Sequence, residues 1–542
     1  MPPWWAHAVL YQIYLRSFQD SDGDGIGDLD GARSRLDALV ELGVDAVWLS
    51  PVHPSPNADF GYDVADYDEV APEYGGMEAL DRFLDAAHER GLKVLLDGVF
   101  NHTSTAHRWF RSARQGPDSP HHGFYHWHKG DRPPNNWAST FGGPAWSFDE
   151  ACQYWYLHSF APEQPDLNWG NPAVESAVLG SMQRWLDRGV DGFRLDVFNC
   201  YAKHAALADN PWRTDLLGRL ARPIYPFIAQ DHVHDRDRPE LAGILRGMRA
   251  LADRCEHEVV LIGETLDERF VYDNAAGWCG SQALHQAFHF RWLHSRWDAA
   301  AFHEAIRAQH AAFQGTAPPV WVLGNHDFKR LASRWGAWTD ARTDARMRLV
   351  PLLQLGLPGS AVIYQGDELG MREQRLPRRL IADPPGQRFW PIYPGRDGCR
   401  TPMAWTDAQH AGFSTSDPWL PLHRDHATRN VRSQRADPGS IWSAWHQMLA
   451  LRRQLPALRT GRLLLPQASH PHLLTYLRSG ENSAARVIAN MSNQVRSWRP
   501  PRGETLQQLH LGVGSVKLRA GGVELGPLAG AVVAVDSAET GA

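Results

Sequence analysis

Residues 78–102 read EALDRFLDAAHERGLKVLLDGVFNH. The first half puts apolar side chains at 79, 80, 83, 84 and 87. That spacing predicts a helix over 78–90 with one buried face, stopped at Gly91, a residue that turns left-handed without strain. From Lys93 the chain becomes a nearly unbroken apolar run that ends in polar residues. A strand covered by helices on both faces reads this way. A helix passing through one glycine into such a strand is part of a strand–helix–strand unit, whose strands lie parallel.

The same kind of run recurs along the first two thirds of the chain. Runs begin near Ala8 (AVLYQIY), Ala46 (AVWLS), Gly192 (GFRLDVF), Val259 (VVLIGET), Gln282 (QALHQAFHF), Pro319 (PVWVLGNHD) and Ser360 (SAVIYQGDE). With the run at Lys93 these make eight strands separated by helical stretches, which predicts a closed α/β barrel of the (β/α)8, or TIM, class. Two spacings stand out. The fifth and sixth runs start only 23 residues apart, short for a strand plus a helix. The third and fourth start 99 apart, which leaves room for an insertion. Residues 103–169 are rich in Pro, Gly, His and Trp and are expected to form a loop-rich subdomain over the barrel mouth. The barrel itself takes 1–102 and 170–455, with an irregular stretch at 366–422. From 456 to 542 the segments HLLTYLR, RVIANMS, SVKLRA and AVVAVD alternate with turn signals, so a C-terminal antiparallel β-sandwich domain is expected.

Composition narrows the function. At 542 residues and 43% hydrophobic content the chain can bury a large core. The net charge is −6 and no polybasic run stands out, so nucleic acid is not an expected partner. The five cysteines (152, 200, 255, 279 and 399) are scattered and never form a CxxC pair, as suits a reducing compartment. No signal peptide is evident, and the apolar stretch 525–535 is far shorter than the roughly 20 residues of a membrane span. A cytoplasmic protein without a membrane partner is expected. The 23 tryptophans suit both core packing and a cleft that stacks a polar ring.

In a barrel of this class the C-terminal strand ends face the active site. The third strand ends DGVFNH (97–102), the fourth carries Arg194-Leu195-Asp196, the fifth ends Gly263-Glu264 and the seventh ends Asn325-His326-Asp327. Any one of these carboxylates could be a helix cap. Four carboxylates, two histidines and an arginine on one rim are a different matter, since caps need neither the histidines nor the arginine. There is no GxSxG elbow, P-loop, complete dinucleotide fingerprint or HExxH. Carboxylates without redox or phosphate motifs point to cleavage of an acetal: one acid protonates the leaving oxygen and one carboxylate meets the oxocarbenium carbon. Arg194 and Asp196 alternate onto one side of the strand, and a guanidinium there keeps a nucleophilic carboxylate ionised. Glu264 in a less polar spot would keep its proton.

These segments resemble the signature regions of glycoside hydrolase family 13, the α-amylase family: DGVFNHT the first, GFRLDVFN the second, GET the third and GNHD the fourth. QPDLNW (164–169) resembles the fifth region of the oligo-1,6-glucosidase and α-glucosidase branch. The resemblance covers about Val9 to Trp419. The first region departs from the usual pattern only at Gly98. The resemblance implies Asp196 as nucleophile, Glu264 as general acid/base and Asp327 as transition-state stabiliser in a retaining double displacement. It implies that His102, Arg194 and His326 hold the glucose ring or set the nucleophile. Asp63 (GYDVADY) and Arg400 (RDGCRTPMAW) match a pair that closes off the non-reducing end of the glucose. Tyr62 or Tyr67, Phe141, Phe160 and Gln164 are candidates for the pocket wall. Val197, next to the nucleophile, matches the residue found in α-1,6-active members.

Residues 20–28 (DSDGDGIGD) alternate carboxylates with glycine turns, as a hard-cation loop does. Gly31 stands where an EF-hand would need its bidentate Glu. The loop resembles the structural calcium or magnesium loop of this branch, with Asp20, Asp22, Asp24, Ile26 (backbone) and Asp28 as ligands. The histidines of HHGFYHWH (121–128) lack a zinc spacing and read as loop packing. The expectation is an exo-acting α-glucosidase for small α-glucosides, with α-1,6 linkages favoured over α-1,4 and with no organic cofactor. A transglucosylase, trehalose synthase or sucrose isomerase on the same scaffold is the alternative. The sucrose-isomerase element Arg-Leu-Asp-Arg-Asp is missing after Asp327. A non-catalytic, transporter-associated barrel would lack the three acids.

Overall fold

The computed structural model describes residues 2–266, 272–467 and 469–537. The eight barrel strands are Val9–Ile13, Ala46–Leu49, Lys93–Gly98, Gly192–Leu195, Val260–Glu264, Gln286–Phe288, Val320–Val322 and Ser360–Tyr364. They pair in parallel in the order seventh, eighth, first, second, third, fourth, fifth, sixth. The sixth and seventh strands, at the ends of this order, share no ladder among the described residues. The Gln286 amide bridges the seam, donating to the Pro318 carbonyl (3.2 Å) and the Ser360 hydroxyl (3.0 Å). The short 23-residue spacing therefore belongs to a true but three-residue sixth strand, which begins at Gln286 rather than Gln282.

Alternation along the strands divides the core in two. Leu10, Trp48, Leu95, Ile262, Phe288, Val320, Val322 and Val362 fill the barrel. Their neighbours Val9, Tyr11, Val47, Leu49, Val94, Leu96, Phe193 and Leu261 face the helices. The helix read from residues 78–90 runs Gly76–Glu89 and buries Ala79, Leu80, Phe83, Leu84 and Ala87. It ends in a Schellman pair, Gly91 N–H to His88 O and Leu92 N–H to Ala87 O, with Gly91 at φ +73°. Gly98 has a packing reason too: a Cβ there would lie 2.7 Å from the Phe100 ring and 3.0 Å from Leu195.

The insertion after the third strand is more ordered than its composition suggests. It holds the helix Arg108–Ala113 and an antiparallel sheet of Trp127–His128, Tyr154–Leu157 and Trp146–Asp149. Its histidines pack as expected: His122 stacks on Trp127 (5.0 Å, 6°) and His121 bonds the Ser112 hydroxyl (3.0 Å). After a connecting helix, Pro456–Thr460, the C-terminal region forms one five-stranded and one three-stranded antiparallel sheet. One face of the larger sheet (Leu474, Tyr476, Val487, Val532) joins the barrel core, and the other packs on Val523 and Leu525 of the smaller. Buried Arg452 and Arg478 donate to carbonyls of residues 355–359 and 458–461, joining this region to the barrel. Among the described residues no helix is long and apolar enough to cross a membrane.

Candidate active site

A cavity of about 1980 Å³ opens at the C-terminal ends of the strands. Asp196 follows the fourth strand, Glu264 ends the fifth and Asp327 stands shortly after the seventh, and all three line this cavity. Arg194 lies beneath them, fully buried. One Nη atom contacts Asp97 (2.6 Å) and Asp196 (2.8 Å), and the other contacts Glu264. Asp97, in the third strand, is one of the four rim carboxylates counted from sequence, where it was given no role of its own. It also accepts from the Tyr62 hydroxyl (3.0 Å) and the Trp48 indole (3.3 Å), so it anchors Arg194 from below.

Three carboxylates around one guanidinium cannot all stay charged cheaply in a buried site. Burial raises Glu264 to about 8 and Asp97 to about 7, against the pull of Arg194. Burial also raises Asp196, opposed by Arg194 and by His102. Asp327 goes the other way. Burial there is outweighed by the neighbouring His326 N–H and by the charges of Arg396 and Arg400, which hold it well below the usual carboxylate range. The site thus keeps Asp327 charged and places the most firmly held proton on Glu264.

His326 is neutral, since burial pulls it to about 3. Its Nδ1 accepts from the Gln12 amide (2.8 Å), so the proton sits on Nε2, 3.4 Å from Asp327. Its ring lies between Tyr62 (5.2 Å, 2°) and Tyr14 (5.8 Å, 20°). His102 donates from Nε2 to the Tyr62 carbonyl (2.9 Å), and burial lowers its pKa. Tyr62, Phe141, Phe160, Gln164 and Val197 line the cavity. Tyr67 does not: it is buried, its single hydroxyl proton shared between the carbonyls of His102 (2.6 Å) and Val99 (2.8 Å). Val197 sits at φ 37°, ψ 41°, a left-handed conformation that a β-branched side chain adopts only under strain. It is held there against Phe160 and Cys200, with Phe141 and Leu266 beside them.

The expected closing pair is corrected by the structure. Asp63 is fully buried and faces its own loop, accepting from the Ser55 hydroxyl (2.7 Å) and from the N–H groups of Ala58 (3.0 Å) and Asp59 (2.9 Å). Its oxygens are taken up shaping the turn, and it does not line the cavity. Arg400 is also fully buried. It stands behind Asp327 (3.1 Å) and donates to the His326 carbonyl (3.0 Å). The pair that spans the cavity lies four residues earlier on each segment: Arg396 meets Asp59 (2.5 Å), Asp327 (3.2 Å) and Asp383 (2.6 Å). Gln164 donates to the other Asp59 oxygen (3.3 Å). The sequence signal was the repeated acid and arginine spacing, ADFGYD and RDGCR, in which the nearer member of each segment carries the contact.

Outside the cavity lining, the loop of residues 20–28 brings carboxylate oxygens of Asp20, Asp22 and Asp28 within 4.8 Å of one another. Asp24 is not in that group, and its Oδ1 accepts from the Ile26 N–H (2.7 Å). Gly25, at φ +88°, has no room for a Cβ, which would lie 2.4 Å from the Asp417 carbonyl.

An eight-stranded α/β barrel carrying three acids over one buried arginine at its C-terminal mouth defines a glycoside hydrolase. The chain belongs to the α-amylase family, glycoside hydrolase family 13: its catalytic-domain family matches residues 12–461. It is 40% identical to a probable α-glucosidase of Rhizobium meliloti (strain 1021), covering 92% of this chain and 91% of that protein. It is 34% identical to an oligo-1,6-glucosidase of Parageobacillus thermoglucosidasius, covering 92% of each. The solved structure of the α-glucosyl transfer enzyme XgtA matches with a TM-score of 0.92 at 37% identity, over 99% of this chain and 100% of that one.

Proposed function

We propose that this enzyme is a retaining, exo-acting α-glucosidase that releases glucose from the non-reducing end of short α-glucosides. The observation that carries the reading is the convergence of Asp196, Glu264 and Asp327 on one cavity that the Asp59–Arg396 ion pair spans. A sugar seated against that pair has nothing beyond it, so only one residue fits behind the scissile bond.

In the first step an oxygen of Asp196 bonds to the anomeric carbon as the bond to the leaving oxygen breaks, and the proton of Glu264 passes to that oxygen. In the second, water adds to the same carbon, its proton returns to Glu264, and Asp196 leaves as carboxylate. Two carboxylates on the two ends of one guanidinium suit the spacing of a retaining pair, about 5–5.5 Å, better than the wider gap of an inverting pair. Asp327, charged, and the Nε2–H of His326 face the ring hydroxyls and the positive charge that develops on the ring.

Val197 supports a preference for α-1,6 over α-1,4 bonds. It stands beside the nucleophile and its bulk, fixed against Phe160, narrows the aglycone side; such a contact is worth about 1–3 kcal/mol. The test is a set of initial rates on maltose, isomaltose, trehalose and sucrose with products resolved. Dominant isomaltose cleavage is expected, and cleavage of maltose alone overturns the linkage reading. Transglucosylation is the second reading. A cavity of about 1980 Å³ holds far more than one glucose, so a sugar hydroxyl can compete with water for the glucosyl-enzyme. We further propose that Asp20, Asp22 and Asp28, with Asp24 and the Ile26 carbonyl, hold a calcium or magnesium ion in a structural role. Three carboxylates this close repel one another, and a hard cation relieves that repulsion.

A further inference from the structure

The catalytic groups are only part of the lining of the large cavity. The segments after the seventh and eighth strands also line it, and this second part of the wall, its distal lobe, is basic. Lys329, Arg334, Arg372 and Arg375 line it, against two carboxylates, Asp340 and Glu373. Both carboxylates are already engaged: Asp340 pairs with Arg372 (2.7 Å), and Glu373 accepts from the Arg330 N–H (3.0 Å).

Three cations of the lobe are left without a carboxylate within 4 Å among the described residues: Lys329, Arg334 and Arg375. Arg334 is the telling one. It is half-buried, its Nη atoms donate only to the carbonyls of Lys329 (3.1 Å) and Leu323, and its buried Nε has no partner. Burial pulls it down to about 10, against the opposing pull of Asp367 and Glu373, neither of which comes within 4 Å of its guanidinium. A cation on a cavity wall with no carboxylate in contact and an unpartnered Nε has its burial only partly offset, and an anion in the cavity would complete it. The surroundings add to the field. Residues 372–388 carry five arginines in a chain whose net charge is −6, and Arg378 and Arg379 stand exposed on the turn just past Pro377.

We propose that this lobe is an anion subsite for the leaving group, so that the enzyme prefers α-glucosides whose aglycone carries a phosphate group. The inference rests on the glucosidase reading and names the substrate class of that same site. Phosphate is favoured because guanidinium forks match its oxygens in pairs, whereas a single carboxylate engages fewer of the three cations. The neutral glucose end stays under Asp59, Arg396 and the three acids, and the lobe acts only on what leaves.

The test compares kcat/KM on 4-carbamoylphenyl, 4-carboxyphenyl and 4-phosphonophenyl α-glucosides, with 4-nitrophenyl α-glucoside as the reference for turnover. At low salt the phosphonate is expected to exceed the carbamoyl compound by roughly tenfold, the combined worth of a few partly exposed charge pairs. The advantage is expected to shrink to about twofold in 0.5 M KCl, as screening requires. In the double variant K329A/R375A the ratio is expected to approach one, and in K329E/R375E to invert. Equal rates on the neutral and phosphonate compounds in the unaltered enzyme overturn the proposal, as does an advantage that survives both double variants. An advantage for the carboxylate alone overturns the choice of phosphate. If no glucoside is turned over, the glucosidase reading fails, and the subsite is read instead by calorimetric binding of phenylphosphonate. Binding that is lost in K329E/R375E then supports it, and no binding overturns it.

Discussion

Replacing Asp59 by Ala separates the pair that spans the cavity from the one the sequence suggested. Asp59 is 3% exposed and meets Arg396 at 2.5 Å, with a second contact from Gln164. A hydrogen bond to a charged partner contributes about 1.5–3 kcal/mol. If the sugar depends on that wall in the transition state, kcat/KM on 4-nitrophenyl α-glucoside falls by about 10- to 150-fold. The fold itself loses little, because Arg396 keeps Asp383 and Asp327. The melting temperature is expected to drop by no more than about 2–4 °C. Asp63→Ala behaves oppositely. It strands three donors at a turn that is buried at Asp59 and half-buried at Ser55 and Ala58, the buried one costing about 1–3 kcal/mol when unmade, so its first effect is on stability. Acidity gives a further check. Burial raises Asp59 to about 6 against Arg396 and Arg400, so the unaltered enzyme protonates this group as pH falls below 6 and its advantage over D59A narrows there. An Asp59→Ala enzyme within twofold of the original kcat/KM, with Asp63→Ala the more damaging to sugar binding at unchanged melting temperature, would refute the reasoning.

Three further outcomes follow from the site. Catalysis needs the proton on Glu264, whose pKa burial raises to about 8, so kcat/KM should fall along an alkaline limb centred near 8; a limb unmoved in residual Glu264→Gln activity on an activated aryl glucoside assigns it elsewhere. Val197→Ala relieves β-branched strain at φ 37° and widens the aglycone side, so the maltose-to-isomaltose ratio of kcat/KM should rise roughly tenfold; an unchanged ratio removes Val197 from linkage choice. Dialysis against EDTA should lower the melting temperature by about 2–5 °C and calcium should restore it, with the turnover of folded enzyme at 25 °C unaltered; a melting curve indifferent to chelator and calcium argues against the ion.

The amino-acid order alone was enough for the eight strands, because each is a local apolar run whose alternation the backbone imposes, and for the three acids, because they end those runs. It was enough for the cation loop as well, where carboxylates and glycines lie within nine positions. The sixth strand's start and the ordered sheet of the insertion were less legible, since three-residue strands leave almost no periodicity to read. Tertiary structure alone decided which neighbouring acid and arginine meet across the cavity. Asp59 and Arg396 stand 337 positions apart, and Asp63 and Arg400 carry the same chemistry four residues on. What separates them is which way each turn faces: Asp63 is consumed by its own loop's N–H groups, while Asp59 is left pointing inward. The proton on Glu264 is likewise a property of the assembled site. It arises from desolvation and from Asp196 and Asp327 brought close by strands far apart in the chain, and no local pattern carries that information.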